Sequence, residues 1–229
     1  MIFKNSPFII KVHKVLCFLD VSTRQKGCCK MAKARELQKA RKKLHLIQAA
    51  YQCFSEKGIH KSSIDDIVSK ANVAKGTFYL YFKDKKDLSE QLCLELSKTV
   101  LLSAYHSILQ RQVTDYEEIV ISFVDAIIEY FKNHKNVLTM LEKNFSWPVI
   151  QKHLAMPETE ESEEFQNIAK LLLHNPYRPN EPRETTMKYI FSIIALCGSV
   201  GYSSIIQEEP DTIDNMKPIL YDMIIKIIQ

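Results

Sequence analysis

Residues 62–82 read SSIDDIVSKANVAKGTFYLYF, and this stretch decides the fold. Ser63 is a good helix N-cap, and Asp65 and Asp66 fall in the first turn, where the helix dipole favours acids. Ser63 followed by Asp66 resembles a capping box with Asp in place of Glu. The spacing predicts a helix over 63–71, buried through Ile64, Ile67, Val68 and Ala71. Asn72 tolerates left-handed backbone angles and makes the turn, and Val73 plugs the angle behind it. A second, short helix over 74–82 turns Ala74, Phe78 and Phe82 to the core. Lys75, Thr77, Tyr79 and Tyr81 remain outside, a set of groups suited to phosphates and base edges. Gly76 in the first turn weakens that helix by roughly 1 kcal/mol against Ala, a cost that makes sense where backbone must approach a polyanion closely. An ordinary helical hairpin with exposed tyrosines is the competing reading.

A helix over about 34–56 precedes this stretch, with Leu44, Ile47, Tyr51 and Phe54 as one stripe and Gly58 as its left-handed end. Its start is crowded with Lys33, Arg35, Lys39, Arg41, Lys42 and Lys43. Lys83, Lys85 and Lys86 follow the second short helix. The formal charge of +4 divides unevenly: +5 over residues 1–30, +6 over 31–110 and −7 over 111–229. A polyanion-binding module joined to an acidic partner fits this, as does scatter among solvated surface charges. Residues 1–30 lack the unbroken apolar centre of a signal peptide, and Met31 opens a plausible native start. These residues are either a leader outside the native protein or a basic arm.

The 229 residues contain only 5 glycines, and 3.6-residue periodicity dominates, so an all-α fold is expected. None of the apolar runs looks long enough to span a bilayer. Cys17, Cys28, Cys29, Cys53, Cys93 and Cys197 lack paired metal spacing. The last three fall in helical patterns and are expected as buried free thiols of a reduced, cytoplasmic protein.

Residues 40–92 resemble the N-terminal domain of the TetR family. Phe54-Ser-Glu-Lys-Gly58 is similar to the family's first-helix ending, and Ser62–Ile67 to its second-helix opening. Asn72–Phe82 resembles its turn and recognition helix almost residue for residue, and Lys83–Leu88 its entry to the fourth helix. The resemblance implies a helix-turn-helix domain over 38–98 and a helical ligand-binding and dimerisation domain over 99–229. It implies DNA contacts at Ser63, Ala74, Lys75, Gly76, Thr77, Tyr79, Tyr81 and Lys85. Lys75 and Thr77 suit base edges; Ser63, Tyr79, Tyr81 and Lys85 suit phosphates. Ala74 departs from a common Ser, which removes a cap, and Asn72 stands where Gly is common.

Beyond the fourth helix, which should reach Leu109, pattern alone speaks. Helices are expected over 115–133 (with an apolar line Ile119, Phe123, Ile127, Phe131), 137–144, 149–155 and 165–174. An acidic loop over 157–164 and a proline-rich loop over 175–182 separate the later ones. Two long helices, 184–207 and 212–228, close the chain; Gly198 and Gly201 would let another helix approach. By the resemblance these two helices pair subunits into a homodimer, the favoured reading; completing only the monomer core is the competing one. The resemblance also implies a small-molecule pocket between the fourth and seventh helices, with Tyr105, Phe123, Tyr130, Met140, Phe145 and Trp147 as candidate lining. Those aromatics fit an ordinary core as well. No metal, cofactor or catalytic constellation is named; His106, His134, His153 and His174 are scattered. The expected function is a non-enzymatic, dimeric repressor released from double-stranded operator DNA by an inducer, away from any membrane. The alternative is a DNA-binding or adaptor protein of the same fold without an inducer.

Overall fold

A computed structural model describes residues 30–111, 113–141 and 163–229. It divides into two compact units, one up to Glu95 and the other Leu96–Gln229. All regular structure among the described residues is helical, so the chain is all-α, with an N-terminal helix-turn-helix followed by a helical C-terminal part.

In the N-terminal unit, α1 spans Lys30–Lys57. Its buried face is wider than one stripe: Leu46, Ile47, Ala49, Ala50, Tyr51, Cys53 and Phe54 are all buried. Gly58 ends it at φ 79°, and its amide donates to Phe54 O at 2.9 Å. This left-handed exit is the one that a glycine makes at little steric cost. Helix α2 spans Ile64–Lys70 with Ser63 as N-cap. Asn72 takes φ 52°, and the Val73 amide reaches back to Val68 O at 3.0 Å, closing the helix end as in a Schellman turn.

Helix α3 spans only Lys75–Tyr79. Ala74 is its N-cap, extended at φ −68°, ψ 147°, with no side-chain cap bond. The expectation that Ala74 faces the core is therefore corrected. An N-cap lies outside the helical period, and Ala74 is exposed, while Phe78 and Phe82 are fully buried. Helix α4 spans Lys85–Leu109, and Leu88 and Leu92 add to the core of this unit.

In the C-terminal unit, α5 spans Tyr116–Asn133 and is capped by the Asp115 carboxylate, which accepts from the Glu118 amide at 3.0 Å. Its buried face also takes in Val120, Val124 and Ile128, and so is broader than the expected line. Helices α6 (Lys135–Leu141) and α7 (Glu163–Leu173) follow. Helix α8 spans Arg183–Tyr202 and runs on as a π turn, Ser203–Gln207. Helix α9 spans Ile213–Ile228 with Pro218 inside it. It is fixed to α5 by Lys217, whose ammonium lies 2.7 Å from Asp125 and 2.6 Å from Glu129. The Tyr221 hydroxyl donates to Asp125 at 2.6 Å beside that pair.

A side-chain carbon added at Gly198 or Gly201 would meet nothing within 4 Å, so among the described residues no helix of this chain closes on either glycine. One further expectation is corrected. The stretch Arg183–Gln207 is long and apolar enough, by length and composition alone, to cross a membrane, because residues 189–206 carry no charge. Only 28% of its apolar stretch is buried within the chain. The expected leader (residues 1–29 of it), the helix over 149–155, most of the acidic loop, Phe145, Trp147, His153, Cys17, Cys28 and Cys29 lie outside the described residues.

Candidate nucleic-acid interface and apolar cavity

The helix-turn-helix is held by polar bonds that the sequence writes at short range. Ser63 and Asp66 close a full capping box: the Asp66 amide donates to Ser63 Oγ at 3.0 Å, and the Ser63 amide donates to Asp66 Oδ2 at 2.9 Å. Lys57 also sits on Asp66 at 2.7 Å. Its hydrogen bond, with those of Ser63, holds the Asp66 carboxyl well below the usual carboxylate range. The Lys85 ammonium donates to the carbonyls of Ile59 at 2.8 Å, Ser62 at 2.9 Å and His60 at 3.3 Å. An ammonium has three N–H donors, so in this geometry all of them are spent on stapling α4 to the loop before α2. Ser63 and Lys85 thus shape the module from within.

The outer groups of α3 are arranged differently. Lys75 is exposed and lies 2.9 Å from Asp65, whose hydrogen bond raises the lysine pKa and keeps the ammonium charged. Tyr79 is 54% exposed, with its ring edge-on to Phe78 at 5.3 Å. Thr77 and Tyr81 are half-buried. Gly76 faces open space. Sequence reasoning missed Leu80, which at 78% is the most exposed large apolar side chain among the described residues. The signal was present. At about 100° per residue, Leu80 stands opposite the mean direction of Phe78 and Phe82, with Gly76 and Thr77 beside it. Picking alternate positions 75, 77, 79 and 81 as the outer face follows a strand's period rather than a helix's. Behind the turn, Arg41, Lys42 and His45 of α1 line a groove with Asn72 and Val73. Lys43 instead lies over the Phe82 ring, 5.8 Å from its centre, and covers the core.

The C-terminal unit encloses a cavity of about 90 Å³. Its walls come mainly from α5 and α8, with Leu101 of α4, two leucines of α6, and Asn175 and Arg178 of the loop before α8. Of the expected lining residues that are described, only Phe123 reaches it. Tyr105 packs into a cluster with Leu102, Ile108, Phe123 and Ile168 and stays off the cavity wall. Tyr130 is buried and stacks on His134, ring centres 4.2 Å apart. Met140 is buried off the wall. Tyr105, Tyr130 and Met140 are therefore corrected from pocket to core. The residues missed are those of α8, a helix whose resemblance points first to subunit pairing. Ile190, Ile193, Ile194, Cys197 and Gly198 all face the cavity. Burial pushes the Cys197 thiol up to about 12, so this wall is uncharged.

Comparison with known proteins places the helix-turn-helix. Residues 46–92 match the model of the bacterial regulatory proteins of the tetR family. An uncharacterized HTH-type transcriptional regulator of Bacillus subtilis, YvdT, is 58% identical over 43 residues, which cover 19% of this chain and 22% of that protein. The fatty acid metabolism regulator protein of the same organism is 45% identical over 51 residues, 22% of this chain and 26% of its own length. These matches span about a quarter of each relative. A crystal structure from Shewanella sp. PV-4, described as a tetR family transcription regulator, superposes with a TM-score of 0.57 at 16% identity. It covers 82% of this chain and 95% of its own. At that identity the likeness concerns the fold.

Proposed function

As the chain belongs to the tetR family of bacterial regulatory proteins, we propose that it is a sequence-specific transcription regulator: a dimeric repressor that a small molecule releases from operator DNA. The observation that carries the reading is the exposed face of α3, held on a capped, stapled α2–turn–α3 frame. Lys75 and Thr77 read base edges, with Leu80 available for a thymine methyl group; Tyr79 and Tyr81 hold phosphates. Gly76 lets the backbone close on the duplex. Ala74 stands at the start of α3, where its own amide and those after it face the phosphates. Ser63 and Lys85 act by positioning.

One short helix reads too few base pairs for operator-level affinity, and a two-fold dimer supplies the second. The surface for it is the uncovered side of α8 and α9, where Phe191 and Ile219 are exposed. Covering an apolar helix of this length with its own copy keeps it out of a membrane, which fits action on DNA in the cytoplasm. The cavity is the inducer site in this reading, and its occupant alters α4, which supplies residues to both units. Selection of bound duplexes from a random pool by the purified chain tests the proposal. A pseudo-palindrome with half-sites about 34 Å apart is the expected product. A pool with no enriched sequence overturns it.

A further inference from the structure

We infer that the cavity of the C-terminal unit receives an amphipathic anion, an unbranched apolar body ending in one carboxylate or phosphate, and that Arg178 reads its head. The inference deepens the reading of this cavity as the inducer site. Of the described residues on the wall, Arg178 alone bears a charge, and none is acidic. Cationic ligands therefore find no counter-ion among them. Three of the other polar wall groups are already engaged within the chain, Thr186 by donating to Pro182 O at 3.5 Å. The Tyr116 hydroxyl donates to Leu172 O at 3.3 Å. Asn175 donates to Ile228 O at 2.6 Å and accepts from the Tyr177 amide at 2.9 Å. A sugar or nucleotide, with many hydrogen bonds to make, meets few open partners. An apolar chain meets Val120, Phe123, Val124 and the isoleucines of α8.

Arg178 differs from its neighbours. Lys132, Lys188, Lys217 and Lys226 each rest on a carboxylate. Among the described residues no carboxylate pairs with Arg178; its guanidinium lies over the Tyr189 ring, 4.2 Å from the centre. Stacking fixes the plane of the fork while leaving its N–H edge open, the geometry in which arginine binds a carboxylate or phosphate through two parallel bonds. A half-buried cation beside an apolar chamber is poorly solvated, and a ligand anion offsets that cost.

The test uses the full chain with decanoate, decyl phosphate and 1-decanol, each titrated calorimetrically. Both anions are expected to bind, with decanol at least tenfold weaker. Arg178→Met, which keeps the stem and its packing, is expected to weaken the anions tenfold or more and leave decanol unchanged. Arg178→Lys, which keeps the charge but loses the fork, should fall between. Circular dichroism of both variants identifies a folding defect in either. Decanol binding as tightly as the anions, or anions unaffected in Arg178→Met, overturns the head-group inference. Absence of binding by all three overturns the amphipathic ligand itself. Release of the selected operator is measured separately. Tight, Arg178-dependent binding without release leaves this inference standing and removes the inducer role.

Discussion

In the N-terminal unit a five-residue helix is held at the surface by a capping box, a left-handed Asn72 and a lysine spent on three carbonyls. In the C-terminal unit a twenty-residue helix, α8, lies half in contact with its own chain, facing a cavity and leaving apolar surface uncovered. The first arrangement fixes a few side chains to within a bond length, as a surface that must match base edges requires. The second supplies apolar area whose worth depends on what fills or covers it. Polar changes in the first unit should therefore act on one function at a time. Changes on the long helices should divide by face, outward faces governing assembly and inward faces governing ligand.

The largest effect is expected at the outward face. Ile219→Glu places a charge on a residue 55% exposed in the single chain. The variant should sediment as a monomer at micromolar concentration and lose roughly a hundredfold or more in operator affinity, since one module keeps only part of the contacts. A wild-type chain that sediments as a monomer and still binds tightly breaks the two-module argument. Next come Lys75→Ala and Tyr79→Ala. Each should weaken operator binding about tenfold, or roughly 1–3 kcal/mol, with helix content and dimer unchanged. Unaltered gel shifts in both variants would show that the outer face of α3 does not read DNA.

Gly76→Ala sharpens the contrast further, because its two effects should have opposite signs. A methyl group there meets open space, and alanine favours the helix by up to about 1 kcal/mol. Denaturant unfolding should show a small gain in stability, and the gel shift a loss of several-fold. A gain in both would mean that DNA does not approach the backbone at this point. Inside the second unit, Gly198→Phe fills space beside Cys197 that the chain leaves empty. It should block decanoate while leaving dimer and operator affinity near wild type. A dimer lost along with ligand binding would place Gly198 at the subunit interface instead.

The same contrast explains what was legible in the sequence. Gly58, Ser63, Asp66 and Asn72 do their work within five residues of themselves, and each took the expected role. The fold class followed from periodicity, and the helix ends mostly lay within one or two residues. Burial around α3 was less legible, because a five-residue helix flanked by extended Ala74 has too few turns for a pattern to establish a face. The cavity was hidden for another reason. Tyr105 and Phe123 are both buried aromatic residues of long helices, and only long-range packing decides that one stays in the cluster with Ile168 while the other also reaches the void. Arg178 gave no local signal at all, since its meaning depends on Tyr189 and on described wall residues, none of them acidic, supplied by distant helices.

The smallest expected effect tests whether Ser63 shapes the module or touches DNA. Ser63→Ala removes the oxygen that accepts from the Asp66 amide, a cap loss of about 1 kcal/mol. It also removes one of the hydrogen bonds that depress the Asp66 pKa, the Lys57 bond being the largest. The sign follows from the direction of that shift. A carboxyl depressed in the folded state contributes stability that is fully present above its unfolded value, near 4. That contribution is lost as pH falls through the folded value. The wild-type and Ser63→Ala unfolding curves should therefore lie furthest apart at neutral pH and draw together as pH falls below about 4, where Asp66 of the unfolded chain takes up its proton, toward the depressed folded value. The neutral cap to the Asp66 amide should keep them from merging completely. Operator affinity of Ser63→Ala should change no more than twofold, with an unchanged dependence on salt. A tenfold loss with a shallower salt dependence would instead make the hydroxyl part of a phosphate contact, and would move Ser63 from the frame of the module to its face.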